Sequence, residues 1–306
     1  MNHTSSEPTD VKPAPTGRKP RSVFVFGAIW AVVFFAAQLG VDTAAAQVLT
    51  GAAWLAFAAF SIALGVHTVG GRGFGAFAVL GYVVVLLLEA CSVAFGVPFG
   101  FFSHNLDGPR ILDIPLFVPV AYIVFGWPAW LLARLLTGGL RRPLSNFQRT
   151  FTPVVATFVL ASWDLHYDAI SSTVEGRASY GSPSGFMGVP LTNFVGWLAT
   201  GWVVFTLWAL LERHWFRTGT VDERPVGTWV GIAWALLPFE VLPGYLAAGN
   251  GAVVVGGREF VTADVYEASF VAGLLSMTTV GLIAIAHLWS GYVRQDRMGT
   301  VPEEAL

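Results

Sequence analysis

Eight apolar runs, each long enough to cross a hydrocarbon layer of about 30 Å, follow one another between Val23 and Val293. They read as Val23–Gly40, Ala46–Val66, Phe74–Phe95, Ile111–Leu136, Phe151–Asp168, Pro190–Leu211, Thr228–Ala248 and Val265–Val293. A chain in lipid must satisfy its backbone polar groups internally, so such runs fold as helices. Only 12% of residues are charged, against about 25% in a soluble domain, and the mean hydropathy is +0.64. The expected fold is all-α: a polytopic membrane helical bundle of about eight transmembrane helices, with residues 22–294 forming a single transmembrane domain. Residues 1–21 are polar, with four Lys or Arg, and read as a disordered cytoplasmic tail. Residues 295–306 read as a short cytoplasmic tail. The TAAAQ stretch at 43–47 mimics a signal-cleavage site, but a long polar leader precedes it and further spans follow.

Basic residues set the orientation. With the N-terminus inside, fourteen of the 17 Lys and Arg residues fall in inner segments, and only Arg110, Arg177 and Arg258 fall outside. This alternation predicts an N-in/C-in, multi-pass protein of the cytoplasmic membrane. The net charge of −2 offers no basic surface for nucleic acid. The one cysteine, Cys91, excludes an internal disulfide framework or a multi-cysteine metal centre, and reads as small core filler.

On that map the carboxylates gather toward the outer leaflet. Glu89 lies in the outer half of the third span, Asp113 opens the fourth, and Asp164 and Asp168 close the fifth. Glu240 lies between Pro238 and Pro243 in the seventh, and Glu267 opens the eighth. Contact with water at helix ends accounts for Asp113 and Glu267. It accounts poorly for Glu240 and for Glu89, which follows VVVLLL and must face the bundle interior. Asp164 and Asp168, in WDLHYDA, are spaced i, i+4 and share a helix face, while His166 points the other way. Two neighbouring carboxyls in a poorly solvated site do not both ionise readily, so one is expected to keep its proton and serve as a general acid. The competing reading is a helix end capped against Arg177 or water, and spacing alone leaves the two even. Asp-x-x-x-Asp lacks the histidine spacing of metal-binding helices, so metal is not expected.

A further stretch, GVPLTNFVGW (188–197), enters the sixth span. Pro190 suits an early helical position, and Asn193 can bond a carboxyl across the bundle. Trp197 shares the face of Asn193. Packing and interfacial anchoring alone explain the glycines and the tryptophan.

Together these stretches resemble the integral-membrane carotenoid biosynthesis family that includes the CruF-type carotenoid 1,2-hydratases and the archaeal bisanhydrobacterioruberin hydratases. The resemblance rests on Glu89 with GVPFG (96–100), on LDIPLFVPVAY (112–122), and on WDLHYDA with GVPLTNFVGW. The last is the most specific, and the similarity covers roughly residues 75–215. The chain departs from the family in FFSHN, where His104 replaces an aromatic arrangement, in Ala169 after the second Asp, and in a loop 175–186 without tryptophan. The resemblance implies an enzyme that needs no cofactor and hydrates the terminal (1,2) double bond of an acyclic carotenoid end such as that of lycopene. Protonation at the less substituted carbon gives a tertiary cation, which water captures as a tertiary alcohol. It implies Asp164 or Asp168 as the acid, the other holding the water, with Glu89 and Asn193 completing a polar pocket. Trp163, Trp197, Phe99, His104 and Tyr167 would line it toward the substrate. The implied partners are the carotenoid, water, membrane lipid and other carotenoid enzymes. Another end-group modification is the nearest alternative. A proton-coupled small-solute transporter and a pigment-holding scaffold are others, although no half-to-half similarity supports transport.

Overall fold

The computed structural model describes residues 19–39, 44–140, 143–215 and 221–299. Most of the two expected tails, and Arg141, Arg142 and Arg217, lie outside the described residues. The first six spans are α1 (Arg21–Gln38), α2 (Ala44–Thr68), α3 (Gly70–Phe95), α4 (Phe117–Thr137), α5 (Asn146–Ala169) and α6 (Leu191–Leu211). The seventh is α7 (Glu223–Leu236) continued through a tight 3-10 turn into α8 (Leu242–Ala248). The eighth is α9 (Thr262–Gly273) continued through one π turn into α10 (Thr279–Gly299). Among the described residues seven spans are long and apolar enough to cross a membrane. The remaining one, α5, is the most interesting: its polar residues take it out of that set, and it packs against α4, α6 and α9. The chain is an all-α polytopic bundle.

Aromatic packing holds the centre. α4 is buried along most of its length, with Phe125, Trp127 and Trp130 fully enclosed. Phe77 of α3 and Trp208 of α6 meet Trp127 edge-on, at ring separations of 4.9 and 5.7 Å. Such pairs contribute roughly 0.5–1.5 kcal/mol beyond their burial. At one end of the bundle Arg134 and Glu212 form a buried ion pair at 2.6 Å, with Trp130 Nε1 donating to the same carboxylate. The site described below lies at the other end.

Three expectations are corrected. The fourth helix starts at Phe117 rather than Ile111. The residues before it form a hairpin, β2 (Arg110–Ile111) paired with β3 (Ile114–Pro115), turning through Leu112 and Asp113 at φ 51° and 64°. Asp113 therefore sits in a tight turn, where a short polar side chain tolerates the left-handed region. The fifth helix starts earlier than Phe151, because Ser145 and Gln148 form a capping box that nucleates it at Asn146. Cys91 is exposed, not core filler. α3 is apolar on every face, so hydrophobicity could not show that its buried stripe runs through Gly81, Val85, Glu89 and Ser92 instead.

Candidate active site

The site is assembled from α3, α5 and α6 and the loops that follow them. On α3, Glu89 is 4% exposed and sits one turn beyond Val85 on the buried stripe. Beyond Phe95 the chain turns at Gly96, with φ 74°, a conformation suited to glycine. Ser92 Oγ then accepts a hydrogen bond from the Phe99 amide at 3.0 Å, and the Phe99 ring lies on Gly196 of α6. This return leads into β1 (Phe102–His104), which pairs antiparallel with β4 (Ala178–Tyr180). The two-stranded sheet lies over the bundle end. It brings His104 Nε2 to 3.0 Å from Glu89 Oε2, and it carries Tyr180 on the opposite strand.

Across from Glu89, α5 presents the two aspartates. Asp168 Oδ2 accepts from the Tyr180 hydroxyl at 2.7 Å and from Asn193 Nδ2 at 2.5 Å. The same amide nitrogen lies 3.5 Å from Asp164 Oδ2, so one carboxamide serves both carboxyls. Asn193 is placed by the first turn of α6, which starts directly after Pro190. Asp164 is 1% exposed, and its Oδ1 has no hydrogen-bond partner among the described residues. Burial, and then the neighbouring Asp168, push the Tyr180 phenol well above its ordinary range, so it remains a donor. The helix continues beyond Ala169 as a π turn, Ile170–Val174, a geometry frequent near functional sites. There Ser172 Oγ donates to the Asp168 carbonyl at 2.7 Å.

Between these groups lies a cavity of about 100 Å³. Glu89, His104, Asp168, Ser171, Arg177, Tyr180 and Asn193 are among its polar lining. Its apolar walls include Trp54, Tyr122, Trp163, Tyr167 and Trp197, and Phe117 and Val118 stand at its edge. The rings brace one another: Tyr122 stacks on Trp197 at 3.9 Å, and Trp163 stacks on Tyr167 at 5.1 Å and meets Trp197 edge-on at 5.7 Å. Aromatic faces around a cavity with carboxyls at one side can stabilise a cation that forms between them.

Of the residues singled out in the sequence, Asp168, Glu89, Asn193, Trp163, Trp197, His104 and Tyr167 line this one cavity. Two are placed otherwise. Asp164 lies behind Asp168 and is not part of the lining, and Phe99 packs under the loop against α6. His166 points away, as its spacing predicted. Its Nδ1 lies 2.9 Å from the Ser269 carbonyl and its Nε2 3.6 Å from Glu240 Oε1, on the far face of α5. Arg177 does not pair with the aspartates. It binds Glu175 at 2.8 Å and donates to the Tyr167 hydroxyl at 3.0 Å. Burial raises the Glu175 pKa, and Arg177 offsets part of that rise. Among the described residues, no group of three or more His, Cys, Asp or Glu side chains is placed to hold a metal ion.

The family model described as "Carotenoid biosynthesis protein" matches residues 24–254, three quarters of the chain and every element of the cavity. The chain belongs to the carotenoid biosynthesis protein family. A curated relative, the bisanhydrobacterioruberin hydratase of Haloarcula japonica, is 34% identical over 122 residues. That alignment covers 39% of this chain and 39% of the relative, so the chain spans about two fifths of the length of the curated protein it matches. No solved structure matches the chain.

Within this family member, the sequence did not single out Trp54, Tyr122 or Tyr180 as parts of the cavity. Tyr122 closes the LDIPLFVPVAY stretch, which carried the only signal for it. Trp54 stands in an apolar run among alanines, and Tyr180 in the polar stretch between the fifth and sixth apolar runs. Nothing local distinguishes either from packing or surface residues.

Proposed function

We propose that this carotenoid biosynthesis protein is a hydratase that adds water across the terminal double bond of an acyclic carotenoid end. The observation that carries the reading is the pairing of Asp168 with Asp164 through a single Asn193 amide, at the wall of an aromatic cavity. Two buried carboxyls so close together hold one proton between them. Both side-chain donors to Asp168 fall on Oδ2, which leaves Oδ1 to carry that proton toward the cavity. Asp164, behind it, is the partner that keeps the pair singly protonated.

The chemistry follows from the substrate. A terminal (CH3)2C=CH– group takes the proton at its CH carbon, and the charge settles on the tertiary carbon. Trp163, Trp197 and Tyr122 line the same cavity, and aromatic rings near a forming cation stabilise it. Water adds to the cation, loses a proton and leaves a tertiary alcohol, with no change of oxidation state overall. The cavity suits the tip of such a chain. Its size, about 100 Å³, is that of a small branched end and not of a whole polyene. The polyene beyond the tip lies toward Phe117 and Val118 and the lipid. With the N-terminus in the cytoplasm, the site faces the outer leaflet of the cytoplasmic membrane. The relative's name, bisanhydrobacterioruberin hydratase, favours hydration as the reaction class.

The test supplies membranes containing the protein with lycopene and follows products by mass. The expected product is one water heavier. Asp168→Asn is expected to lower turnover by roughly 10²–10⁴-fold, the usual contribution of a positioned general acid, and Asp164→Asn by less. If both variants turn over like the parent, the acid has been misassigned. An unchanged carotenoid bound by the parent protein would favour a pigment scaffold.

A further inference from the structure

The hydratase reading assigns the proton donor and leaves open what activates the water. We propose that His104 and Glu89 form the base, an imidazole oriented by a carboxylate, lining the same cavity as Asp168 from a different element. The inference rests on the hydratase reading and adds a role to two residues of the same site.

Three observations point this way. First, Glu89 Oε2 and His104 Nε2 are 3.0 Å apart, and their side chains are 5% and 12% exposed. A carboxylate in that position accepts a hydrogen bond from Nε2–H and fixes the neutral tautomer whose lone pair is on Nδ1. The same logic orients a general-base histidine in hydrolases. Second, His104 and Glu89 line the cavity on α3 and its return loop, whereas the acid lines it from α5. A group that gives a proton to one carbon and a group that takes one from water at the next carbon cannot be the same group at the same moment. Placing them on separate elements resolves that conflict. Third, Tyr122 lines the cavity, is 4% exposed, and its hydroxyl has no hydrogen-bond partner among the described residues. A buried hydroxyl of this kind is expected to meet a ligand atom. Water held by His104 and Tyr122 satisfies it.

The proton balance closes within the cavity. Asp168 gives its proton to the alkene and becomes a carboxylate. Water forms the C–O bond, and His104 takes the proton that this oxygen sheds. The proton returns from the imidazolium to the aspartate pair, and the site is ready again with no net exchange.

This assignment separates protonation from capture, and deuterium reports the two separately. Turnover of an acyclic-ended carotenoid is run in D2O with the full-length membrane protein, its Glu89→Gln and His104→Gln variants, and Asp168→Asn. In the two base variants, hydration is expected to fall at least 50-fold. Asp168 still delivers deuterium to the CH carbon and takes a proton back from it, so the recovered carotenoid gains one deuterium at that carbon. That exchange also shows that the variants are folded. Asp168→Asn loses both hydration and exchange. The proposal is overturned if Glu89→Gln and His104→Gln lose exchange in step with hydration, or if they hydrate at the parental rate. A parent protein that neither hydrates nor exchanges overturns the hydratase reading itself, and this assignment with it.

Discussion

Tyr180 and Asn193 place two donors on the same oxygen of Asp168, and only Asn193 also reaches Asp164. Their removal therefore has unequal consequences. Tyr180→Phe deletes one hydrogen bond and leaves the carboxamide in place. With about 1 kcal/mol for such a bond, turnover of the acyclic end is expected to fall about fivefold. Asn193→Ala strips the donor that serves both carboxyls, so a loss several times larger is expected. Rates measured on the same membranes, normalised to folded protein, distinguish the two, and equal losses would show that the amide does not bridge the pair. At this scale the ionisable groups were legible in the sequence, because a carboxyl among apolar neighbours demands a polar destination. The aromatic half of the cavity was not. Phe, Trp and Tyr make up 14% of the chain, and Trp54 looks no different in sequence from Trp30, which is core.

Elements place these residues, and a close fit among them is between the 96–105 return loop and α6. A Cβ on Gly196 would collide with the Phe99 ring and come within 2.8 Å of the Phe99 Cα. Phe99 leads directly into β1, so a displaced ring displaces His104. Gly196→Ala is expected to lower stability by roughly 1–3 kcal/mol, as overpacking does, and to depress turnover as well. Gly51→Ala on α2 is the control, since a Cβ there meets nothing within 4 Å, and both quantities should hold. Melting in detergent and activity, measured side by side, test the pair. The number of spans was readable from apolar length, and the first helix boundary to fail was the start of α4. ILDIPL is apolar enough to pass for helix, and its reversal depends on left-handed backbone at Leu112 and Asp113 that hydropathy does not report. The pairing of β1 with β4 joins segments more than seventy residues apart, and no local pattern announces it.

Taken whole, the bundle keeps its two buried carboxylate systems at opposite ends and uses them differently. Glu212 is matched by Arg134 and Trp130, so Glu212→Gln removes a carboxylate charge that sits 2.6 Å from a buried guanidinium. A loss of about 3–5 kcal/mol in stability is expected, with unchanged KM for the protein that remains folded. At the aspartate end, among the described residues, no Lys or Arg forms an ion pair with Asp164 or Asp168. Arg177 binds Glu175 and Tyr167, and Asp168 lines a cavity of about 100 Å³ instead. The small size of that chamber has a consequence for the whole substrate. A carotenoid is far longer than the cavity, so only one tip enters at a time, and each tip is judged separately. A symmetric carotenoid with two acyclic ends should yield products one and then two waters heavier, the second appearing after a lag as the molecule leaves and re-enters by its other end. A carotenoid with one cyclised end should stop at one water, and one cyclised at both ends should not react. Product masses over time decide the matter. Hydration on a carotenoid cyclised at both ends would mean that the chemistry takes place in a larger space than the one walled by Trp163, Trp197 and Tyr122.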